Sequence, residues 1–241
     1  KLIVIACNTA TAAGLPLAQC IFDVPVVGVV EPGARAAVQS TINRRVGVIG
    51  TVGTVDSGAY STAVRALDAG VTVFSVATPR FVDVVEQGLR LGDGTIEDWL
   101  AEMADVYIRP SFYEMARDYL DPLKRSGIDT LVLGCTHFPL LAAPIQQVVG
   151  SKVRLISSAE ETAREVAETL AARGHLAEPG AARSEVFATT GDAEEFAGLG
   201  ARILGRPVAG AEHVALEDLE RLLTPELHAR QQAFEGGGSC G

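Results

Sequence analysis

Short runs of branched apolar residues alternate along the chain with longer stretches whose apolar residues recur every three or four positions. The runs fall at 2–6, 24–30, 46–49, 71–76, 130–133, 153–156 and 186–188. Helical spacing fills 11–22, 32–39, 54–67, 138–148, 159–172 and 193–204. The runs show little in-out alternation, which fits strands buried on both faces. The expected fold is therefore α/β, with mostly parallel sheets flanked by helices. In open sheets of this kind, ligands collect at the carboxyl ends of the strands. The stretch 95–119 carries Trp99, Tyr107, Tyr113 and Tyr119 with helical spacing interrupted by Pro110, and reads as two helices and a turn.

Two of the runs end in near-matching frames, Leu2-Ile3-Val4-Ile5-Ala6-Cys7-Asn8-Thr9 and Leu131-Val132-Leu133-Gly134-Cys135-Thr136-His137. Each delivers a thiol to the carboxyl end of a predicted strand and follows it at once with hydrogen-bonding side chains. Two such deliveries suggest a pseudo-symmetric site, with one thiol on each side of a small ligand. Glu31-Pro32-Gly33, directly after a run, is the best turn signal for a change of domain. Ser157-Ser158 is a capping pair suited to the return crossing. The expected organisation is two facing domains related by a pseudo-twofold. Residues 1–30 with 158–215 form the first, 31–157 the second, and 216–241 a C-terminal helix and a glycine-rich flexible tail.

Composition narrows the function classes. The 241 residues are 48% hydrophobic, ample for a packed core, and the formal charge is −10. That balance argues against an electrostatic footprint for nucleic acid or an anionic membrane surface. The longest apolar run, 24–30, is broken by Pro25 and Gly28 and falls far below the ~20 residues that span a bilayer, so no membrane segment is expected. Four cysteines at irregular spacing fit neither a secreted disulfide framework nor a zinc site, which points to a reducing cytoplasm and to no metal. Lys1 runs straight into a strand without a cap or a signal-peptide pattern, as if the chain were cut there.

A thiol works as a base only when its surroundings favour the thiolate, through a helix N-terminus, a nearby cation or hydrogen-bond donors. Cys7 and Cys135 each precede a predicted helix, whose free N–H groups suit both a thiolate and a substrate carboxylate. Asn8, Thr9 and Thr136 add donors, and His137 can serve as proton relay or electrostatic partner to Cys135. A lone strand-end cysteine is more often packing than catalysis, and it is the pairing of the frames that favours chemistry. Removing a proton from one face of a carbon and returning it to the other needs two such groups. Gly50-Thr51-Val52-Gly53-Thr54 resembles a small anion-binding loop, with Thr51 and Thr54 as donors; the alternative is an ordinary glycine turn with Thr54 as N-cap. Without the lysine of a P-loop, it does not read as a triphosphate site. Glu86 is either the carboxylate that serves one thiol or, as for most glutamates at such positions, simply solvated. Cys20 reads as core, Cys240 as an exposed tail thiol, and His175 and His213 as structural or solvent-facing.

Taken together, these residues resemble the glutamate racemases of the aspartate/glutamate racemase superfamily. The resemblance rests on Ala6-Cys7-Asn8-Thr9-Ala10, Gly28 to Gly33, Val48 to Thr54 with Ser57-Gly58-Ala59-Tyr60, Phe81 to Glu86, Leu133 to Leu140, and Thr190-Gly191-Asp192. It implies cofactor-independent interconversion of L- and D-glutamate, with Cys7 and Cys135 as opposed acid and base. It further implies that Asn8, Thr9, Thr136 and His137 bind substrate, and that Glu86 and His137 support Cys135. His137 favours glutamate over aspartate as substrate, and the product would supply peptidoglycan synthesis. The implied partners are a small-molecule substrate and a second copy in a homodimer. Two family motifs, Asp-Ser-Gly on the first strand and a later Pro-Tyr-Gly, are absent, so the first domain is expected to lack its opening strand–helix units; 91–113 reads as a helical insertion. The rival readings are a non-catalytic fragment or ligand-binding remnant of the fold, and a related racemase or isomerase acting on another small dicarboxylate or on a hydantoin.

Overall fold

The structure, a computed structural model, describes residues 1–91, 110–221 and 224–236. Its centre is a four-stranded parallel sheet made of β3 (Arg45–Gly50), β4 (Thr72–Ala77), β5 (Thr130–Gly134) and β6 (Arg154–Ser157), in the order β4-β3-β5-β6. Before it in the chain, β1 (Ile3–Ile5) pairs in parallel with β2 (Val26–Gly28). After it, β7 (Ala188–Thr189) pairs in parallel with β8 (Glu212–His213). Every strand pair among the described residues is parallel.

The helices are α1 (Asn8–Ile21), α2 (Val30–Ser40), α3 (Val52–Asp56), α4 (Ala59–Leu67), α5 (Pro79–Leu91), α6 (Pro110–Arg125), α7 (Ala142–Val149), α8 (Ser158–Ala172), α9 (Ala193–Leu204), α10 (Leu216–Arg221) and α11 (Pro225–Glu235). A single 3₁₀ turn, Phe138–Leu141, precedes α7. The α/β class with helices flanking parallel sheet is as expected.

The central sheet is covered on both faces, and the two strand periods show it. Ile49, Leu131 and Leu133 point into one core with Phe81, Phe112, Leu120, Phe138 and Ile145 of the α5–α7 side. Val46, Val48 and Val132 point into the other with Val30, Ala34, Tyr60 and Val64 of α2 and α4. A strand buried on both faces has no polar face to display, which is why these runs lack alternation. The expectation of double burial fails outside β2, β3 and β5. β1 is only half covered, with Val4 40% exposed; β4, at the sheet edge, is half-buried apart from exposed Thr72 and Ser75; β6 exposes Arg154; and in the 186–188 run Val186 and Ala188 are exposed.

Several boundaries shift for local reasons. The expected helix at 54–67 is two helices, because Gly58 adopts a left-handed φ of 64° and turns the chain between α3 and α4. α2 begins at Val30, two residues before the expected 32–39 helix, and Pro32 stands in its first turn as expected, where its missing N–H costs nothing. Pro110 is the first residue of α6. Residues 92–109, which include Trp99, Tyr107 and most of the expected insertion, lie outside the described residues, as does Cys240. Cys20 is half-buried on α1 rather than in the core.

An aromatic cluster ties α5 to the segment after β5. Phe81 is fully buried, stacks on Phe112 with 6.0 Å between centroids, and meets Tyr119 at 5.5 Å and Phe138 at 5.7 Å edge-on. Glu86 lies on the same helix as Phe81, and His137 immediately precedes Phe138, so this packing sets how those two polar side chains face each other. Phe81→Ala is expected to lower the unfolding free energy by about 3–5 kcal/mol in a urea titration, the usual cost of emptying a buried aromatic site.

Candidate active site

The sheet order places the site. From β3 the chain moves outward to β4, returns past β3 to form β5, then continues to β6, so the connections diverge between β3 and β5. The carboxyl ends at such a switch point form a crevice. The register pairs Gly50 with Gly134, so the next residues, Thr51 and Cys135, leave adjacent strands at the same level. The tetrapeptide turn of the second thiol and the glycine-threonine loop are neighbours by construction.

Cys135 is 7% exposed, with its Sγ 3.6 Å from His137 Nδ1. The other ring nitrogen, His137 Nε2, lies 2.8 Å from Glu86 Oε1. Sulfur, imidazole and carboxylate thus form a continuous chain. The histidine pKa is pushed up to about 9, chiefly by its hydrogen bond to Cys135 and further by Glu86, against the opposing effect of burial. At neutral pH, His137 is an imidazolium held between two groups that welcome its charge. Thr136 stands exposed between Cys135 and His137. The helix expected right after this frame is a 3₁₀ turn, with Phe138 N–H donating to the Cys135 carbonyl at 3.1 Å, so α7 begins one turn later than anticipated.

The first frame behaves as the sequence suggests. Cys7 is the extended N-cap residue of α1, with φ −119° and ψ 129°, is exposed, and its side chain makes no capping bond. Cys7 and Cys135 are both free thiols. Asn8 is buried at 2% exposure, whereas Thr9 is exposed. Thr9 Oγ1 lies 2.8 Å from Thr51 Oγ1 and 3.2 Å from Thr54 Oγ1, and the latter two are 3.1 Å apart. Three hydroxyls therefore join the start of α1 to the start of α3. The N-cap of α3 is Thr51, accepting from Thr54 N–H at 3.3 Å, not the Thr54 of the glycine-turn alternative. The structure thus gathers Asn8, Thr9, Thr51 and Thr54 at one junction, and Cys135, His137 and Glu86 at the adjoining strand end.

Comparison with known proteins now adds to this geometry. Residues 1–166 match the family model described as Asp/Glu/hydantoin racemase. The chain belongs to the Asp/Glu/hydantoin racemase family. It is an enzyme of the racemase class. A Bacillus cereus protein named glutamate racemase is 44% identical over 217 residues, covering 90% of this chain and 74% of that protein. A Mycobacterium leprae protein of the same name is 47% identical, covering 92% of this chain and 75% of its own length. Among solved structures, a glutamate racemase isoform from Bacillus anthracis superposes with a TM-score of 0.77 at 39% identity, covering 90% of this chain and 74% of that one. The Thermus thermophilus glutamate racemase, solved with β-chloro-D-alanine, gives 0.71 at 40% identity, covering 90% and 73%.

Tyr60, which no sequence motif singles out for a role, belongs to the same cluster. Tyr60 is 2% exposed and donates its hydroxyl to Asn8 Oδ1 at 2.7 Å. The available signal was a tyrosine in the second turn-helix block, since a buried tyrosine hydroxyl needs a partner. Away from the site, Asp192 caps α9 by accepting from Glu195 N–H at 2.7 Å, and His213 bonds the Gly191 carbonyl at 2.9 Å, both structural uses. Among the described residues, no three His, Cys, Asp or Glu side chains gather as metal ligands, and no helix is long and apolar enough to cross a membrane.

The raised His137 pKa has a definite sign. Its contribution to folding stability is fully present below the ordinary value of 6.5 and is lost as pH rises through about 9. His137→Gln removes that contribution. The unfolding free energy of the parent is expected to exceed that of the variant by most below pH 6.5 and by least above pH 9, as read from urea titrations across that window.

Proposed function

We propose that the protein interconverts L- and D-glutamate by a two-thiol acid/base mechanism needing no cofactor. The observation that carries this reading is the hydroxyl junction: Thr9, two residues after Cys7, bonds Thr51 and Thr54 at the end of β3, beside the β5 strand that delivers Cys135. Relatives named glutamate racemase, aligned along most of the chain, support the substrate. A Francisella tularensis glutamate racemase solved with D-glutamate shares the fold, with a TM-score of 0.74 at 25% identity.

In this mechanism the thiolate of Cys7 takes the α-proton of D-glutamate and becomes a thiol. The electron pair left at Cα is delocalised into the adjacent carboxylate, whose growing charge meets donors from Asn8, Thr9, Thr51 and Thr54. The Cys135 thiol then gives its proton to the opposite face, leaving L-glutamate and a Cys135 thiolate beside the His137 imidazolium. The reverse direction exchanges the two roles. Glu86 holds His137 in place through its Nε2, and Thr136 binds substrate at the mouth. The product D-glutamate would serve peptidoglycan synthesis. The organisation into two facing domains, 1–30 with 158–215 and 31–157, fits a thiol contributed from each side.

The test is solvent-deuterium incorporation at Cα of glutamate, followed alongside optical rotation. The protein is expected to exchange and racemise, and Cys7→Ala and Cys135→Ala are each expected to lower racemisation by at least about 1,000-fold, on the order of 4 kcal/mol of barrier. Rates within a few-fold of the parent in either variant would remove that cysteine from the chemistry. Exchange of another small dicarboxylate but not of glutamate would shift the substrate. Saturable glutamate binding without exchange would point to a ligand-binding remnant.

A further inference from the structure

Asn8 holds two polar atoms in a buried place, and only one is satisfied. Its Oδ1 accepts the Tyr60 hydroxyl at 2.7 Å, while its Nδ2 is closed off from water and has no hydrogen-bond partner. A buried donor left unpaired costs about 1–3 kcal/mol, so such a group calls for a reason. Asn8 is the first residue of α1 and immediately follows Cys7, so its side chain belongs to the frame proposed to bind substrate.

The orientation of that carboxamide is imposed from the other side of the junction. Tyr60 projects from α4 through a passage kept open by two glycines. A Cβ at Gly33 would lie 3.2 Å from the Tyr60 hydroxyl, and one at Gly134 would lie 3.1 Å from its ring. The ring packs among the buried apolar residues between α2, α4 and the central sheet, so its place does not depend on the hydroxyl. Burial pushes the phenol well above its ordinary value; the hydrogen bond with Ser158 opposes this and the nearby Glu31 and Cys135 add to it. The phenol therefore stays protonated and has one proton to donate. Donating that proton to Oδ1 leaves Nδ2 as the amide's unpaired group.

We infer that Tyr60 is a positioning residue for substrate binding, whose hydroxyl holds the Asn8 carboxamide so that Nδ2 is the donor offered to a substrate carboxylate. This rests on the racemase reading above. It also explains why a tyrosine of the second-domain segment should fill a glycine-lined passage: the bond ties a binding group of the first cysteine frame to the sheet that carries the second. A phenylalanine would pack as well and would leave the amide free to turn.

The experiment compares the full-length protein with Tyr60→Phe, Asn8→Ala and the double variant. Tyr60→Phe keeps the ring in its passage, and a thermal melt checks that the fold survives. The expected result is a KM for glutamate raised about tenfold in Tyr60→Phe with kcat changed much less, a larger rise in Asn8→Ala, and no additional rise when Tyr60→Phe is placed on Asn8→Ala. A KM effect as large in the Asn8→Ala background as in the parent, or a fall in kcat with KM unchanged, would overturn the inference. A second arm needs no turnover. With asparagine-selective ¹⁵N labelling, the Asn8 side-chain amide pair is expected to shift or broaden in Tyr60→Phe relative to the parent without ligand; an unmoved pair would overturn the inference. If the parent does not act on glutamate, the racemisation reading fails while this second arm still decides the role of Tyr60.

Discussion

Gly50 pairs with Gly134 in the parallel ladder of β3 and β5, and that register stops both central strands at one height. A slip of one residue would turn Ile49, Leu131 and Leu133 out of one core and Val46, Val48 and Val132 out of the other, since side chains alternate across a sheet. Because both faces are buried, the register is held by the full weight of both cores. The polar groups at the strand ends inherit that precision: Thr51 caps α3 on one side and Cys135 meets His137 on the other. The chemistry is positioned by apolar packing below it.

Two kinds of link extend outward from that level. One is electrostatic and local: Cys135, His137 and Glu86 form a chain whose central imidazole is kept protonated through its two neighbours. Its outer partner, Glu86, comes from α5, and the aromatic packing of Phe81 on Phe138 brings α5 to the turn after β5. The other link is made of neutral hydroxyls. Thr9, Thr51 and Thr54 satisfy one another, and Tyr60 reaches Asn8 beneath them. Hydroxyls exchange partners at little cost, since each can donate or accept.

The two frames differ despite their matching sequences. Cys7 is exposed at the head of a long helix, and Cys135 is buried before a 3₁₀ turn beside a charged imidazole. β1, which delivers Cys7, is also the less covered strand, whereas β5, which delivers Cys135, lies at the centre of the sheet and is buried throughout.

Local information accounts for much of this. The strand runs, the α/β class, and the candidate residues Cys7, Asn8, Thr9, Thr51, Thr54, Glu86, Cys135, Thr136 and His137 were legible in the sequence, because apolar runs mark strands and polar residues at their ends mark where ligands can sit. Helix ends were less so. Gly58 divides one expected helix in two, and the helix expected from Phe138 begins with a 3₁₀ turn, since a proline or glycine marks a place where the chain changes course without saying in which direction. Only the tertiary structure decided that Glu86 answers to His137 and that Tyr60 answers to Asn8, pairs 51 and 52 residues apart. Such pairings depend on which helix lies over which strand end, a consequence of strand order and core packing that no local pattern contains.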